Sequence, residues 1–235
     1  MSWKFEQPAD HETRVILVRH GESTFNAQGK HQGSSDASVL TDLGKEAARQ
    51  TGEWLSGLVI DALYVSSLQR AQETASEMLS MMTPAVDLQN IHVVYQLREI
   101  DLPAWQGRYH RQVQTDCATD YRCWKQHPEQ FVMVDPQTQH RTYPVLDLYA
   151  RSQQFWQDIL PRHQRQTLMV ISHSGTNRAL ISTALNLPPT HYHALKQSNC
   201  GISVLKFSQQ DELTVQLEVL NETGHLTAPC LKPKV

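Results

Sequence analysis

The 235-residue chain lacks any apolar run approaching the roughly 20 residues needed to cross a bilayer, which excludes a single-pass helical span. It also lacks blocks of like charge. The formal net charge is -3, with acidic and basic residues interspersed, and this argues against nucleic acid as a partner. Cysteine is scarce: Cys117, Cys123, Cys200 and Cys230 form no CxxC or other compact metal-ligand grouping, and Cys200 reads as a small buried residue. A chain with 40% apolar residues can build a core without disulfides. The first ten residues lack the apolar stretch of a secretory leader, so the expectation is a soluble, cytoplasmic protein. There is no repeat of domain size and no pure low-complexity tract. The length fits one α/β domain over residues 1–235 better than two.

What is present is a series of short apolar runs alternating with amphipathic stretches. Val15-Ile16-Leu17-Val18 reads as a buried strand. Thr41 is an N-cap candidate for a helix with Asp42 in its first turn, a stripe of Leu43, Ala47, Thr51 and Leu55, and an end near Gly57. Leu63-Tyr64-Val65 reads as a second strand, 68–82 as a helix stopped by Pro84, and 91–95 as a third strand. This order predicts a three-layer helix-sheet-helix α/β fold with a mostly parallel central sheet.

Residues 102–144 break the pattern with Pro103, Pro128, Pro136, Pro144 and weak helical periodicity over 113–126. They read as an excursion covering the substrate. Its aromatics Trp105, Tyr121, Trp124 and Phe131 serve packing, a lid or a dimer contact. Order returns with a helix through Leu148, Phe155 and Ile159, a strand over 168–171, a helix over 176–187, and a hairpin of 201–207 with 213–220. The polar tail from Asn221 to Val235 either frays or covers a dimer partner's entrance.

Two strands run directly into histidines, in Arg19-His20-Gly21-Glu22 and Ser172-His173-Ser174-Gly175. In an α/β sheet, ligands gather beyond the carboxyl ends of strands, where helix N-termini offer unpaired N–H groups to anions. Arg19 presents rigidly arranged donors to a phosphate there, Arg70 adds a second guanidinium, and Asn26 and Gln32 add neutral donors. Glu99, after the third strand, suits proton delivery to a leaving oxygen better than anion binding, because like charges repel. Each residue alone has an ordinary surface, capping or packing role. Their joint placement after strands makes phosphoryl transfer on a histidine the leading hypothesis.

The residues fall in four ordered signatures. The first is Arg19-His20-Gly21-Glu22-Ser23-Thr24-Phe25-Asn26, followed by Leu40-Thr41-Asp42-Leu43-Gly44; the second is Ser66-Ser67-Leu68-Gln69-Arg70-Ala71-Gln72-Glu73-Thr74-Ala75. The third is Leu97-Arg98-Glu99-Ile100-Asp101 with Trp105-Gln106-Gly107, and the fourth is Ser172-His173-Ser174-Gly175. Over 15–207 the sequence resembles the histidine phosphatase superfamily, in its phosphoglycerate mutase-like branch.

The resemblance implies that His20 is the nucleophile that becomes phosphohistidine and that Arg19, Arg70 and His173 bind the phosphoryl group. It implies Glu99 as proton donor to the leaving alcohol, Asn26 as a further phosphate contact and Gln32 as a contact to the pocket or substrate. It implies no metal and no other cofactor, because arginines and histidines supply the positive charge. Glycine commonly follows the histidine of the fourth signature. Here Ser174 stands there and Gly175 comes next. Both remain phosphate-side positions, since a contact through the Ser174 N–H survives the change and its hydroxyl can add another.

The segment after Glu99 resembles the phosphatases of the branch rather than its mutases. Arg108, Arg111 and Arg122 supply some positive charge, but no adjacent arginine pair lies between Tyr109 and Pro144. The expected activity is that of a metal-independent phosphomonoesterase on a small metabolite, with L-phosphoserine as the substrate the resemblance suggests. The alternatives are a cofactor-dependent phosphoglycerate mutase, or a phosphatase for sugar phosphates, alpha-ribazole phosphate or a broad range. A purely protein-binding member is disfavoured, because a scaffold has no chemical need for His20, Arg19, Arg70, Glu99 and His173 together. The partners expected are a small phosphomonoester and, in a homodimer, a second copy; neither nucleic acid nor a membrane is expected.

Overall fold

The computed structural model describes residues 7–209 and 212–231. In chain order it begins with β1 (Glu12–Arg19), α1 (Thr24–Gln28), α2 (Asp42–Leu55), β2 (Ala62–Ser66), α3 (Gln69–Leu79) and β3 (Ile91–Val94). Next come α4 (His110–Asp116), α5 (Ala118–Gln126), β4 (Met133–Val134), β5 (Arg141–Thr142) and α6 (Pro144–Ile159). The chain continues with β6 (Gln166–Ser172), α7 (Ser174–Ala184), β7 (Ile202–Gln209) and β8 (Leu213–Glu222). No helix among the described residues is long and apolar enough to cross a membrane.

The main sheet has the order β3-β2-β6-β1-β7-β8. Its first four strands are mutually parallel, and β7 and β8 close the far side antiparallel. Period-two alternation sends Ile16 and Val18 of β1 to one face and Val15 and Leu17 to the other. On the first face Ala47, Ala48 and Leu55 of α2 and Ala71, Ala75 and Met78 of α3 complete a core. On the second, Phe155, Trp156 and Ile159 of α6 pack with Leu180 and Ile181 of α7. The three-layer, mostly parallel architecture is the one the element order predicts.

Several local expectations change. Leu43, read as part of the buried stripe of α2, is exposed, and Gly44 is buried instead. A side chain at Gly44 would collide with the backbone of Glu22, so the first turn of α2 lies directly against the loop that follows β1. Helix α7 starts at Ser174, two residues earlier than its periodicity suggests, with His173 as N-cap. That shift aims the first turn of α7 into the site.

The excursion is more ordered than the proline count suggests, holding α4, α5 and the small β4-β5 sheet. Trp105, Trp124 and Phe131 are buried with Leu148 and Tyr149 of α6 in a third core. Packing thus accounts for Trp105, Trp124 and Phe131; Tyr121 sits half-buried beside Trp105.

Buried His173 and half-buried His31, His193 and His225 give the fold an acid sensitivity. His31 lies against Trp105 and His110, and burial and then the charge of His110 push it down to about 3. Burial pushes His193, which donates to the Trp124 carbonyl, down to about 4, and does the same to His225 beside Thr51. His173 is also held well below the usual range, by burial first and then by Arg70. These rings are neutral in the fold but protonate in the unfolded chain below about pH 6.5. The unfolded state therefore binds more protons, and stability present above that pH is lost as pH falls toward 4. Calorimetry from pH 7 to 4.5 should show a steadily falling Tm, with about four protons taken up on unfolding near pH 5. A flat Tm would contradict the assignment.

Candidate active site

The parallel register brings the signature residues to one end of the sheet. Arg19 is level with Ser172, so His20 and His173 emerge side by side, their ring centroids 5.1 Å apart. Ser66 ends β2 next to them, and Glu99 follows β3 after one short turn. His20 Nδ1 lies 2.7 Å from the Gly21 carbonyl. A carbonyl only accepts, so the proton sits on Nδ1 and the lone pair on Nε2.

His173 is oriented in the opposite sense. The Ser66 hydroxyl accepts from the Leu68 N–H and lies 2.7 Å from His173 Nε2. When its single proton goes to Nε2, the N–H of the neutral ring is on Nδ1. That Nδ1 is buried and has no acceptor among the described residues.

The two arginines meet the same situation. Arg19 Nη1 donates to the Gln197 carbonyl and Nη2 to Asn26 Oδ1, while Arg70 bonds the carbonyls of Gly33 and Ser35. The Nε of each is buried without an acceptor among the described residues. Burial pushes both guanidiniums down to about 10, and Glu99 opposes that shift in each case. They remain charged at neutral pH. Two buried cations and three buried nitrogens without a partner among the described residues suit a multiply charged oxyanion, since an unpaired buried donor is costly.

Glu99 is held by the first turn of α7. Its Oε1 accepts from the N–H groups of Ile100 (2.9 Å) and Thr176 (3.1 Å), and Oε2 accepts from Gly175 (3.1 Å). The Gly175 N–H, expected to face a phosphate, thus serves Glu99, as helix N-termini do for carboxylates. Ser174 is the first residue of the helix and half-buried. Asn26 accepts through Oδ1 from Asn199 (2.9 Å), which turns its amide N–H₂ the other way. Gln32 is tied to the Ser23 hydroxyl through Oε1 (2.8 Å) and braces the loop.

Sequence reasoning missed three supports. Ser66, inside the second signature, reads as a strand end but orients His173. Asn199 bonds the carbonyls of His20 and Gly21 as well as Asn26; its only signal is a polar segment ahead of β7. Arg151 of α6 donates to the carbonyls of Arg98 and Glu99, and a helix surface pattern gives no hint of that.

Gly175 has no room for a side chain: a Cβ there would lie 2.5 Å from Glu99 Oε1 and collide with the Tyr192 hydroxyl. Gly175→Ala should displace the carboxylate and lower kcat/KM for an alkyl phosphate about 100-fold, the usual cost of misplacing a catalytic group by an ångström. Steady-state kinetics check this; an unchanged rate would contradict the placement of Glu99.

The family model described as the histidine phosphatase superfamily (branch 1) matches residues 15–222. The chain belongs to this superfamily. Among curated relatives, a probable 2-carboxy-D-arabinitol-1-phosphatase of Arabidopsis thaliana is 36% identical over 194 residues, covering 83% of this chain and 38% of the relative. The chain spans about two fifths of the length of that relative and of its wheat counterpart. A probable phosphoglycerate mutase of Enterobacter sp. (strain 638) is 30% identical, with 93% and 97% of the two chains covered. Among solved structures, a phosphoserine phosphatase of Entamoeba histolytica aligns with a TM-score of 0.74 at 25% identity, over 92% of this chain and 100% of that one. The fold is accordingly phosphoglycerate mutase-like.

Proposed function

We propose that this histidine phosphatase is a metal-independent phosphomonoesterase that works through a phosphohistidine on His20. The observation that carries the reading is the gathering, at one sheet end, of an oriented imidazole and three buried, unpartnered nitrogens on Arg19, Arg70 and His173. His20 Nε2 attacks phosphorus as the ester P–O bond breaks, and the Glu99 carboxyl gives its proton to the departing oxygen. Water then attacks the phosphohistidine, Glu99 takes its proton, and phosphate leaves. The buried cations hold the phosphoryl oxygens throughout. The excursion over 102–144 covers the substrate, within a single domain.

Hydrolysis is favoured over mutase action by the fate of the excursion's arginines. Arg108 is paired with Asp116 (2.6 Å), Arg111, Arg122 and Arg141 are exposed, and no two of the four are adjacent in sequence to grip a second phosphate as a pair. L-phosphoserine is the first substrate proposed, supported by the likeness to the Entamoeba enzyme. A carboxylated sugar phosphate is the second reading, favoured by the 36% identity to the Arabidopsis relative.

A substrate panel tests both readings: L-phosphoserine, 2-carboxyarabinitol 1-phosphate, a hexose phosphate, and 3-phosphoglycerate with a bisphosphoglycerate primer. Phosphate release with L-phosphoserine leading is the expected result. A sugar phosphate far ahead by kcat/KM would overturn the substrate. Rapid 2-phosphoglycerate with negligible phosphate would overturn the phosphatase.

A further inference from the structure

Arg98, the residue before Glu99, has no part in the scheme above, yet its side chain reaches the loop that orients Arg70. Arg70 donates from Nη1 to the Ser35 carbonyl (2.7 Å) and from Nη2 to the Gly33 carbonyl (2.9 Å), so the direction of its Nε is set by where residues 33–35 lie. The carbonyl between those two, on Ser34, accepts instead from Arg98 Nη2 at 2.8 Å. Arg98 Nη1 donates to the Ser67 hydroxyl at 3.3 Å, beside the end of β2. The backbone of Arg98 is anchored on other elements: its carbonyl accepts from Arg151 of α6 and from the Thr176 hydroxyl of α7, each at 2.8 Å. Two guanidiniums thus grip one loop through successive carbonyls, Arg70 at residues 33 and 35 and Arg98 at residue 34 between them.

We propose that Arg98 is a positioning residue: by holding the Ser34 carbonyl it fixes the 33–35 loop, and through that loop it aims the Arg70 guanidinium at the phosphoryl group. The inference rests on the phosphohistidine reading, in which Arg70 holds phosphoryl oxygens. Arg98 itself needs to touch no reacting atom. A carbonyl bonded to a charged donor is held more firmly than one bonded to a neutral group, and a cation stabilises the transition state best when it is already in place. The loop has other ties, from the Ser34 hydroxyl to Asp101 Oδ1 (2.5 Å) and from the Gln69 N–H to Asp36 Oδ1 (2.8 Å). These hold a side chain and the far end of the loop, and leave the middle peptide to Arg98.

Arg98→Met keeps the aliphatic stem and removes the guanidinium. It should lower kcat/KM about 30-fold for L-phosphoserine and p-nitrophenyl phosphate alike, because Arg70 holds the phosphoryl group that both esters share. A loss confined to L-phosphoserine would mean that Arg98 acts through Glu99 and would overturn the role, as would no loss for either ester. A double-mutant cycle reads the coupling itself: in an Arg70→Met background, Arg98→Met should change kcat/KM by less than about twofold. A general loosening of the fold would cost activity in either background, so additive losses also overturn the proposal. If Arg98→Met does not fold, Arg98→Lys, which retains one donor for the Ser34 carbonyl, carries the same cycle with a smaller loss. Trapping phosphohistidine in the wild type alongside separates the two ideas: a labelled His20 with additive losses sinks only this inference, whereas no label sinks the reading beneath it.

Discussion

His20→Ala should lower kcat/KM on every substrate by roughly four orders of magnitude or more, because it removes the atom that bonds to phosphorus. No neighbour can stand in for it. His173 has its Nε2 occupied by the Ser66 hydroxyl, and in the proposed scheme its Nδ1 is a donor to the phosphoryl group. Arg19 and Arg70 are donors without lone pairs to share. His20 is buried, so His20→Asn serves as a second variant that fills more of the space. Kinetics with p-nitrophenyl phosphate, alongside Tm, decide the matter. A loss of less than about tenfold in a folded variant would remove His20 from the chemistry.

Glu99→Gln should separate substrates by leaving group. For an alkyl ester such as L-phosphoserine the departing oxygen needs a proton, and kcat/KM should fall about 10³-fold; p-nitrophenolate leaves unaided, so its ester should lose about tenfold or less. The residual loss has a structural source. Glu99 accepts backbone N–H groups at both oxygens, and a glutamine must turn its own N–H₂ toward one of them. Placing the amide oxygen on the Ile100 and Thr176 side sets N–H₂ against Gly175 N–H. Equal losses for both esters would mean that Glu99 positions α7 rather than delivering a proton.

These expectations rest on features of unequal visibility in the sequence. The histidines, arginines and Glu99 were legible because each lies within a few residues of the end of a short apolar run, and strand ends converge in a parallel sheet. The sheet's layers were legible from alternation in β1 and the helical stripes. Gly44 in place of Leu43 was not, because its reason is a close approach to Glu22, far away in sequence. The capping of Glu99 by α7 was hidden for the same reason: the signature shows glycine and a threonine but not which carboxylate they meet. The Tyr192 hydroxyl beside Gly175 had no signal either, since it comes there from a proline turn that packs on Trp124 in the excursion.

The sequence also assigned the donors more loosely than the fold uses them. Arg70 spends two nitrogens on the 33–35 loop, and the Gly175 N–H serves the acid. What is left for a phosphoryl group is a smaller, more specific set than the roster of signature residues. It includes the buried, unpartnered Nε of both arginines and Nδ1 of His173.

The central claim is that phosphorus passes through His20, and a rapid acid-free quench with labelled L-phosphoserine or p-nitrophenyl phosphate tests it most directly. The account predicts label on the protein that survives alkali, is lost in mild acid, maps to His20 and is absent from His20→Ala. Turnover with no labelled protein, or label that persists in His20→Ala, would contradict it.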